Sequence, residues 1–396
     1  MTMQVKNKPE EFGLSPEEQR FQNGVGEFAK AALAPKVANM DVRGAISPEL
    51  LRALFAAGYL GIEIPESFGG TGGTFFQNVL LIEEIAKVDP AVAVIIHVHN
   101  TLVCNSLLRW GENAQQRDYL QRLASDFLGA FAASEAQAGS DLFSMSTRAN
   151  EQLDLFVLNG EKKWITNALE AGLFIVFAKT AVDQGPYGVS AFIVPRNTPG
   201  LEVGKNENKM GIRASSCCEV HIRNLKIGKQ HLLGKKTDGN RIAMDTLNDG
   251  KIGVAAQMVG LAQGAFDAAL EFAKGREQFG QCIAGFQAVE FKLAELATDI
   301  TTARLLVYHA ARLRDKGVGA KILYRTASMA KYHAAKVAEK VASEAVELFG
   351  GRGYISDYPA EKFYRDVKIG KIYEGTSNIQ LKTIASTLIG AIKTNA

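Results

Sequence analysis

The stretch LDLFVLNGEKKWITNA, residues 153 to 168, decides the fold class of this chain. It places β-branched and aromatic residues on both sides of Asn159 and Gly160, a pair that favours a tight hairpin turn. Four more runs of strand character follow, separated by turn-forming residues: GLFIVFAKT, VSAFIVPR, GLEVGK and CCEVHIRNLKIG. The pattern predicts a β domain in which residues 159–160 form a turn between two strands.

Helical periodicity dominates the chain before this β region. Ser15 is followed three residues later by Glu18, which is the pattern of a capping box at a helix start. Phe21 and Val25 continue at helical spacing. The glycine-rich segment at 66–78 fits neither a dinucleotide-binding motif nor a P-loop, so we predict a loop between helices there.

Helical periodicity returns at about residue 241 and persists to the end of the chain. Six apolar residues form one stripe at helical spacing: Ile252, Ala255, Met258, Val259, Ala262 and Phe266. Further long helices are predicted near 285–315, 320–349 and 376–391, which is typical of an up-and-down bundle. The prediction is an α+β multidomain protein with a helical N-terminal domain at 1–126, a central β domain at 127–240 and a C-terminal four-helix bundle at 241–396.

Composition argues against several functional classes. The 396 residues carry 45 Lys and Arg against 42 Asp and Glu, a formal net charge of +3 without a long basic run, so we expect neither nucleic acid nor an anionic membrane as the main partner. We find no apolar run as long as a membrane span and no targeting pattern at the amino terminus. A cytoplasmic location is therefore the expectation.

Cysteine and histidine spacing offers no metal site. The four cysteines include no C-x-x-C pair, and Cys217 and Cys218 are adjacent, where a disulfide is geometrically difficult, so we expect a reducing compartment. None of the six histidines has metal-ligand spacing with a carboxylate, and no metal is expected. His97 and His99 lie in an apolar helical pattern, where core or pocket histidines with satisfied hydrogen bonds are expected.

The segment KIYEGTSNIQ, residues 371 to 380, holds a carboxylate just before a helix start. Thr376 or Ser377 is the natural N-cap of the apolar-periodic segment that follows, so free backbone N–H groups lie near Glu374. Gly375 permits a tight turn and close approach of a ligand to the main chain. These residues leave two interpretations open: a catalytic base beside a cluster of donors, or an acidic residue that the helix dipole favours.

A family resemblance emerges when this segment is taken together with four others. They are FAASEAQAGSDLFSMSTRA at 131–149, KKWITNA at 162–168, GREQFGQCIAGFQAVEFKLAELA at 275–297 and ELFGGRGYISDYPAEKFYRDVKIGKIYEGT at 347–376. In this order and spacing they resemble the acyl-CoA dehydrogenase family across nearly the whole chain. The segments NENKMGIRASS and ASMAKY resemble its short/branched-chain members most closely.

The resemblance implies flavin adenine dinucleotide (FAD) in the cleft among the three domains. It implies α,β-dehydrogenation of an acyl-CoA thioester to the 2-enoyl-CoA, in fatty acid or branched-chain amino acid metabolism. The residues that it assigns to the cofactor are Phe131, Ala133, Ser134, Gly139, Ser140, Trp164, Ile165, Thr166, Arg276, Phe279, Gln287, Glu347, Gly350, Gly351, Thr376 and Asn378. Those that it assigns to the substrate are Ser140, Asn240, Asn248, Lys251, Tyr373 and Gly375.

The resemblance also implies partners. Arg276, Phe279 and Gln287 match residues that reach the flavin of a neighbouring subunit, so a homo-oligomer is expected, and the family is usually tetrameric. A guanidinium suits a pyrophosphate because it donates two parallel charge-assisted hydrogen bonds. Electrons from the substrate are expected to leave to an electron-transfer flavoprotein, although an oxidase that uses oxygen directly is also compatible with the sequence.

The resemblance resolves the two interpretations of Glu374 in favour of the base. In the family's mechanism the backbone N–H at this position and a ribityl hydroxyl of the flavin polarise the thioester carbonyl, while the carboxylate takes the α-proton and the β-hydride passes to the flavin. Some members place the base at the position of Gly250, and glycine has no side chain for proton chemistry. Glu374 is therefore the predicted catalytic base.

Four departures from the common family pattern concern the substrate and the flavin. Ala136 and Gln137 replace a Pro-Gly pair, Glu347 stands at a frequent glutamine, Lys251 replaces an arginine, and Asn240 replaces an aromatic residue near the acyl channel. A polar Asn240 leaves two substrates open: a short or branched acyl-CoA, or an acyl chain on a carrier protein in a biosynthetic pathway. A third alternative is a flavin-containing, nucleic-acid-binding relative, which the carboxylate of Glu374 and the lack of a basic run disfavour.

Overall fold

Seven α-helices precede the first strand in the computed structural model, which describes residues 12–390. They are α1 Pro16–Phe28, α2 Val37–Arg43, α3 Pro48–Ala56, α4 Phe75–Ala86, α5 Pro90–His97, α6 Asn105–Trp110 and α7 Asn113–Ser125. The predicted capping box is confirmed, because the Ser15 hydroxyl accepts from the Glu18 N–H and the Glu18 carboxylate accepts from the Ser15 N–H. The predicted loop at 66–78 is shorter than expected, since α4 begins at Phe75 with Thr74 as its N-cap.

A π-helical segment, Val98–Cys104, joins α5 to α6 into one long apolar helix. By length and composition Pro90–Trp110 qualifies as a membrane-spanning helix, so the expectation that no apolar run reaches that length is wrong. Almost all of its most apolar window is buried inside the fold, and core helices of soluble proteins have the same composition. The segment is the central helix of the N-terminal domain.

The central domain contains an eight-stranded sheet. Its strands are β1 Leu128–Ala132, β2 Arg148–Gln152, β3 Leu155–Thr166, β4 Ala171–Lys179, β5 Val189–Pro195, β6 Leu201–Asn206, β7 Cys217–Gly228 and β8 Leu232–Leu233. The strand order is β6-β7-β3-β2-β4-β5-β8, and β1 pairs with β4 in parallel. Its buried side chains form a cluster around Phe156, Phe174 and Phe192.

The predicted Asn159–Gly160 turn is wrong. Strand β3 runs straight through both residues, and the register of β3 against β7 shifts between Leu158 and Gly160, which marks a bulge. A side chain at Gly160 would collide with Thr147, whose hydroxyl oxygen would lie 2.3 Å from the added Cβ. Gly160 thus allows β3 to pass close to Thr147 inside the sheet. The local sequence does not distinguish this role of a glycine from its role in a turn.

The C-terminal part is a helical bundle. It comprises α8 Gly239–Gly275, the hairpin β9 Glu277–Gln278 and β10 Gln281–Cys282, then α9 Gln287–Asp315, α10 Ala320–Phe349, α11 Ala360–Val367 and α12 Ser377–Ile389. Helix α8 packs directly on α4 because it carries glycines at the contact. A Cβ on Gly260 would lie 2.2 Å from the Glu83 carbonyl oxygen, and one on Gly264 would lie 2.1 Å from that of Lys87.

Buried polar contacts fix the three parts relative to one another. Arg304 of α9 forms an ion pair with Glu83 of α4 at 2.7 Å, with both side chains inaccessible to solvent or nearly so. The side-chain amide of Asn167, just after β3, donates to the carbonyl oxygens of Ile95 and Gly129 at 3.1 Å each. Because a buried polar group without a partner is costly, these contacts are specific, and they hold the N-terminal helices against the bundle and against the sheet.

Candidate active site

Glu374 lies in a strained turn immediately before α12. Its φ of 50° is in the left-handed region, and Gly375 follows with a φ of 91°. Thr376, one of the two predicted caps, is the N-cap, and its hydroxyl accepts from the Ile379 N–H at 3.4 Å. A left-handed backbone is unfavourable for a residue with a Cβ and persists only where surrounding contacts enforce it.

Three side chains enforce this turn. The Lys331 ammonium of α10 donates to the Gly375 carbonyl oxygen at 2.7 Å. The Gln380 amide donates to the carbonyl oxygens of Glu374 and Gly375 at 3.2 and 2.9 Å. The Tyr373 hydroxyl donates to the side-chain oxygen of Gln257 on α8, which ties the turn to the long helix of the bundle.

The Glu374 side chain is directed into the protein, where only 9 % of it is exposed. Its Oε1 lies 2.6 Å from Nε2 of His97, the last residue of α5. Its Oε2 is buried without a hydrogen-bond partner among the described residues. A Cβ on Gly250 would lie 2.1 Å from Oε2, so the glycine makes room for the carboxylate. The backbone N–H of Glu374 also has no acceptor among residues 12–390.

Two buried lysines face this carboxylate. Burial lowers the pKa of Lys251 to about 8, and the charge of Glu374 opposes the shift. Burial likewise lowers the pKa of Lys331 to about 8, again against the effect of Glu374. Burial raises the pKa of Tyr373 well above its ordinary value, and Glu374 adds to that rise. Near neutral pH the carboxylate therefore has two ammonium groups and a neutral phenol around it.

The two neighbouring histidines differ in their hydrogen bonds, although both are fully buried. His99 is satisfied on both sides: its Nδ1 accepts from the Gly129 N–H at 3.0 Å, and its Nε2 lies 3.0 Å from the Leu123 carbonyl oxygen. Burial lowers the pKa of His99 to about 4. For His99, this confirms the expectation of a core histidine with satisfied hydrogen bonds. His97 instead contacts Glu374, and its Nδ1 has no partner among the described residues.

The predicted cofactor residues on the sheet lie side by side. The Lys163 N–H of β3 donates to the Ser134 carbonyl oxygen at 2.9 Å, which brings Phe131, Ala133 and Ser134 next to the segment that holds Trp164, Ile165 and Thr166. The β3 register shifts between Lys162 and Ile165, and Trp164 has a φ of 57° with 54 % of its surface exposed. The bulge turns a large aromatic side chain outward, whereas Ile165 is buried.

The remaining predicted cofactor residues of the single chain have space around them. Gly139 and Ser140 are exposed after β1, and Glu347, Gly350 and Gly351 are exposed where α10 ends. A Cβ on Gly139, Gly350 or Gly351 would meet no atom within 4 Å. Asn378 is exposed and Thr376 half-buried at the start of α12, a helix N-terminus with free N–H groups.

Three further predicted cofactor residues lie apart from this group, around the β9–β10 hairpin. Arg276 is the C-cap of α8, Phe279 lies in the hairpin turn, and Gln287 begins α9. Phe279 is 96 % exposed at a φ of 51°, and its aromatic neighbour is Phe286 of the same segment. An aromatic ring presented this far into solvent suits contact with another molecule.

The arrangement fits the dinucleotide that the sequence implies. An outward aromatic ring on β3, glycines with open space above their backbone and a helix N-terminus are features that accommodate a planar ring and a pyrophosphate. The residues that would hold it are the predicted ones on β1 and β3, those at the C-terminus of α10 and those at the N-terminus of α12.

The predicted substrate residues on α8 differ in burial and in hydrogen-bond partners. Asn240 is half-buried near the helix start and donates to the Pro186 carbonyl oxygen at 3.2 Å. Asn248 is buried, donates to the Met244 carbonyl oxygen at 2.5 Å, and accepts from the Lys251 ammonium at 2.7 Å. Lys251 is itself buried, and Glu374 is near enough to influence its pKa.

A buried ion pair lies next to the predicted cofactor residues of the sheet, at 131–134 and 164–166, and the sequence did not predict it. The Lys162 ammonium contacts the Glu135 carboxylate at 2.8 Å with both side chains nearly inaccessible to solvent. Thr147 and Ser146 also donate to this carboxylate. Burial alone would raise the pKa of Glu135, but Lys162 and these donors outweigh it and lower the pKa to about 2. An acidic residue beside the Ser134 segment and a lysine two residues before Trp164 were the available clues.

A carboxylate–histidine cluster also forms by strand pairing. Ligand atoms of Glu161 on β3 and of Glu219 and His221 on β7 lie within 4.8 Å of one another. The sequence shows Glu219 and His221 two residues apart on β7, but Glu161 joins them only through the pairing of β3 with β7. Lys163 already forms ion pairs with both carboxylates, which neutralises much of their charge.

Comparison with known proteins gives a consistent family assignment. The family descriptions that match are the acyl-CoA dehydrogenase N-terminal domain over residues 15–126, its middle domain over 130–225 and its C-terminal domain over 237–389. A probable short/branched chain specific acyl-CoA dehydrogenase of Dictyostelium discoideum is 48 % identical over 95 % of this chain and 91 % of its own.

Solved structures agree with this assignment. The butyryl-CoA dehydrogenase of Megasphaera elsdenii superposes with a TM-score of 0.92 at 38 % identity, covering 95 % of this chain and 99 % of its own. A chain from structural work on the electron transferring flavoprotein of Acidaminococcus fermentans superposes with a TM-score of 0.94 at 40 % identity, over 96 % of this chain and all of its own.

Proposed function

The chain belongs to the acyl-CoA dehydrogenase family of FAD-dependent oxidoreductases that act on CH–CH groups, and we propose that it dehydrogenates a short or branched acyl-CoA with Glu374 as the base. The observation that carries the proposal is the buried Glu374 carboxylate, one oxygen of which receives no hydrogen bond from residues 12–390. When bound, FAD supplies the acceptor for the hydride of the substrate's β-carbon.

The side chains of the turn perform the acid–base part of the reaction. The Glu374 carboxylate takes the α-proton: the α C–H bond breaks and an O–H bond forms on the carboxylate. The free backbone N–H of Glu374 is available to polarise the thioester carbonyl, where negative charge develops as the proton leaves. Lys331, Gln380 and Tyr373 keep the turn fixed, so the base does not have to be reoriented during the reaction.

The preference for a short or branched acyl group rests on the relatives. The Dictyostelium discoideum relative is described as short/branched chain specific and the Megasphaera elsdenii structure as a butyryl-CoA dehydrogenase. The same proposal includes an electron-transfer flavoprotein as the electron acceptor and a homo-oligomer, of tetrameric form, with Arg276, Phe279 and Gln287 contributing to a neighbour's cofactor site. It places the protein in the cytoplasm.

The test is anaerobic reduction of the bound flavin by thioesters. We expect the purified protein to be yellow and a branched C4 or C5 acyl-CoA to bleach its absorbance without oxygen. Glu374→Gln keeps the size of the side chain and removes the base, so the bleaching rate should fall by about 10²- to 10⁴-fold. As controls, the flavin content and the unfolding temperature of Glu374→Gln must equal those of the native protein.

Two outcomes would contradict the proposal. Bleaching of Glu374→Gln at the native rate would remove the assignment of the base. Reduction by carrier-protein thioesters with none by any acyl-CoA would replace the substrate by the biosynthetic alternative.

A further inference from the structure

The contact between His97 and Glu374 joins two distant segments at the reacting carboxylate. His97 ends α5, Glu374 precedes α12, and their Nε2 and Oε1 atoms are 2.6 Å apart. His97 has no solvent exposure, so its ring cannot exchange this contact for water. A hydrogen bond in such surroundings is stronger and costlier to lose than one at the surface.

The packing around the pair is built for this contact. A Cβ on Gly253 would lie 2.1 Å from Nδ1 of His97, as one on Gly250 would lie 2.1 Å from Oε2 of Glu374. These two glycines, one helical turn apart on α8, leave the space that the imidazole and the carboxylate fill. The π-helical segment Val98–Cys104 begins directly after His97, and such irregular turns occur often at functional sites.

The hydrogen bonds define the role of each nitrogen. Nδ1 of His97 is buried without a partner among the described residues. A buried N–H without an acceptor is costlier than a lone pair without a donor, so the geometry assigns a proton to Nε2, the nitrogen that faces the carboxylate. The Nε2–H then donates to Oε1, which leaves Oε2 as the carboxylate oxygen without a donor in the described part of the chain.

We propose that His97 is a positioning residue for the base: its Nε2–H fixes the Glu374 carboxylate through Oε1, favours its charged form, and leaves Oε2 to take the substrate's α-proton. The inference rests on the proposed function of Glu374 and adds the residue that orients it. The histidine itself neither gains nor loses a proton in this step.

Among the described residues, Glu374 influences the pKa of three other titratable groups: Lys251, Lys331 and Tyr373. Both ammonium groups titrate at about 8 because burial lowers their pKa, and the phenol titrates higher still. All three therefore keep one protonation state in acidic solution. A change in the acidic part of the rate profile on replacing His97 consequently reports on the His97 contact.

The experiment compares His97→Leu and His97→Gln with the native holoenzyme, using isovaleryl-CoA as the probe and an artificial electron acceptor. Without the Nε2–H the carboxylate loses its donor, so the acidic limb of the kcat profile should move to higher pH. At the native optimum kcat should fall about 10- to 100-fold with KM nearly unchanged. His97→Gln retains an N–H donor, so its kcat and the position of its acidic limb should lie between those of His97→Leu and those of the native protein.

His99→Gln is the matched control, because His99 is an equally buried histidine two residues away with its hydrogen bonds elsewhere. It should lower the unfolding temperature and leave the acidic limb in place. A second readout does not need turnover: the losses in unfolding temperature from His97→Leu and Glu374→Leu should not add in the double variant, since both remove one contact.

The outcomes separate this inference from the proposed function. An unmoved acidic limb in both His97 variants, or additive losses in unfolding temperature, would overturn the positioning role even if Glu374→Gln is inactive. Native turnover by Glu374→Gln would instead reject the proposed function, and the inference with it. If His97→Leu does not fold, the rate profile of His97→Gln decides.

Discussion

At the scale of single residues, the site depends on side chains that are missing as much as on those that are present. Gly250 and Gly253 allow α8 to pass close to a carboxylate and an imidazole that come from other segments. From the sequence, Gly250 stands where some members of the family have the catalytic base, and glycine has no side chain for that role. The structure adds that the same glycine provides the volume for Glu374, so the two positions that the family uses for its base are neighbours in space.

Gly250→Ala should therefore slow turnover while the protein still folds. The new Cβ would lie 2.1 Å from Oε2 and must displace the carboxylate. A misplacement of about 1 Å costs on the order of 10²-fold in rate, and we expect a loss of that size in kcat. Gly275→Ala, on the same helix with no atom within 4 Å of the added Cβ, is the control that should keep native activity. A fully active Gly250→Ala would show that the carboxylate does not need this space.

At the scale of elements, a buried ion pair joins β3 to the segment that follows β1, next to the predicted cofactor residues. Glu135 follows β1, Lys162 lies in β3, and hydrogen bonds from residues 146–147 complete the carboxylate's environment. The Lys162 ammonium also donates to the Ala133 carbonyl oxygen at 3.1 Å. The pair thus fixes the backbone on which Ser134 and Trp164 stand, directly beneath the region that fits the cofactor.

Removing one partner of this pair should destabilise the protein strongly. Glu135→Gln leaves the Lys162 charge buried without its counter-ion, which typically costs about 3 to 5 kcal/mol of unfolding free energy. Denaturant unfolding at neutral pH measures the loss. Glu202→Gln, which breaks an exposed pair with Arg223, should be nearly neutral.

The pH dependence of stability offers a second check of the same pair. The folded pKa of Glu135, about 2, lies below its ordinary value of 4.5, so its contribution is complete above pH 4.5 and is lost as the pH falls toward 2. Glu135→Gln lacks that contribution, and its stability should change less between these pH values than that of the native protein. Parallel stability curves for the two proteins would contradict the assignment.

At the scale of the whole molecule, several apolar side chains of the bundle face solvent. They include Phe279 in the hairpin, Phe291 on α9, and Leu388 and Ile389 at the end of α12. A neighbouring chain that contacts these helices would remove apolar surface from water. This agrees with the proposed homo-oligomer, in which the hairpin of one chain completes the cofactor site of the next.

Replacing Phe279 tests that assembly. If the ring contacts a neighbour's cofactor, Phe279→Ala should lower the FAD retained after dialysis several-fold, while the unfolding temperature of the cofactor-free protein stays the same. Leu153→Ala is the control, because Leu153 is 93 % exposed at the β2–β3 turn, away from the hairpin. Sedimentation should show an oligomer for the native protein; a monomer that retains FAD fully would contradict the proposal.

The sequence by itself determined the α, β, α order, the long helices of the bundle, the capping box at Ser15 and the cap before α12, because these follow from local periodicity and hydrogen bonding. The family motifs pointed to Glu374. Sequence spacing failed where contacts are long-range: the Asn159–Gly160 bulge, the Glu135–Lys162 pair, and the contact of His97 with Glu374. Only the tertiary structure decided these, since each depends on the volume and partners that a distant segment provides.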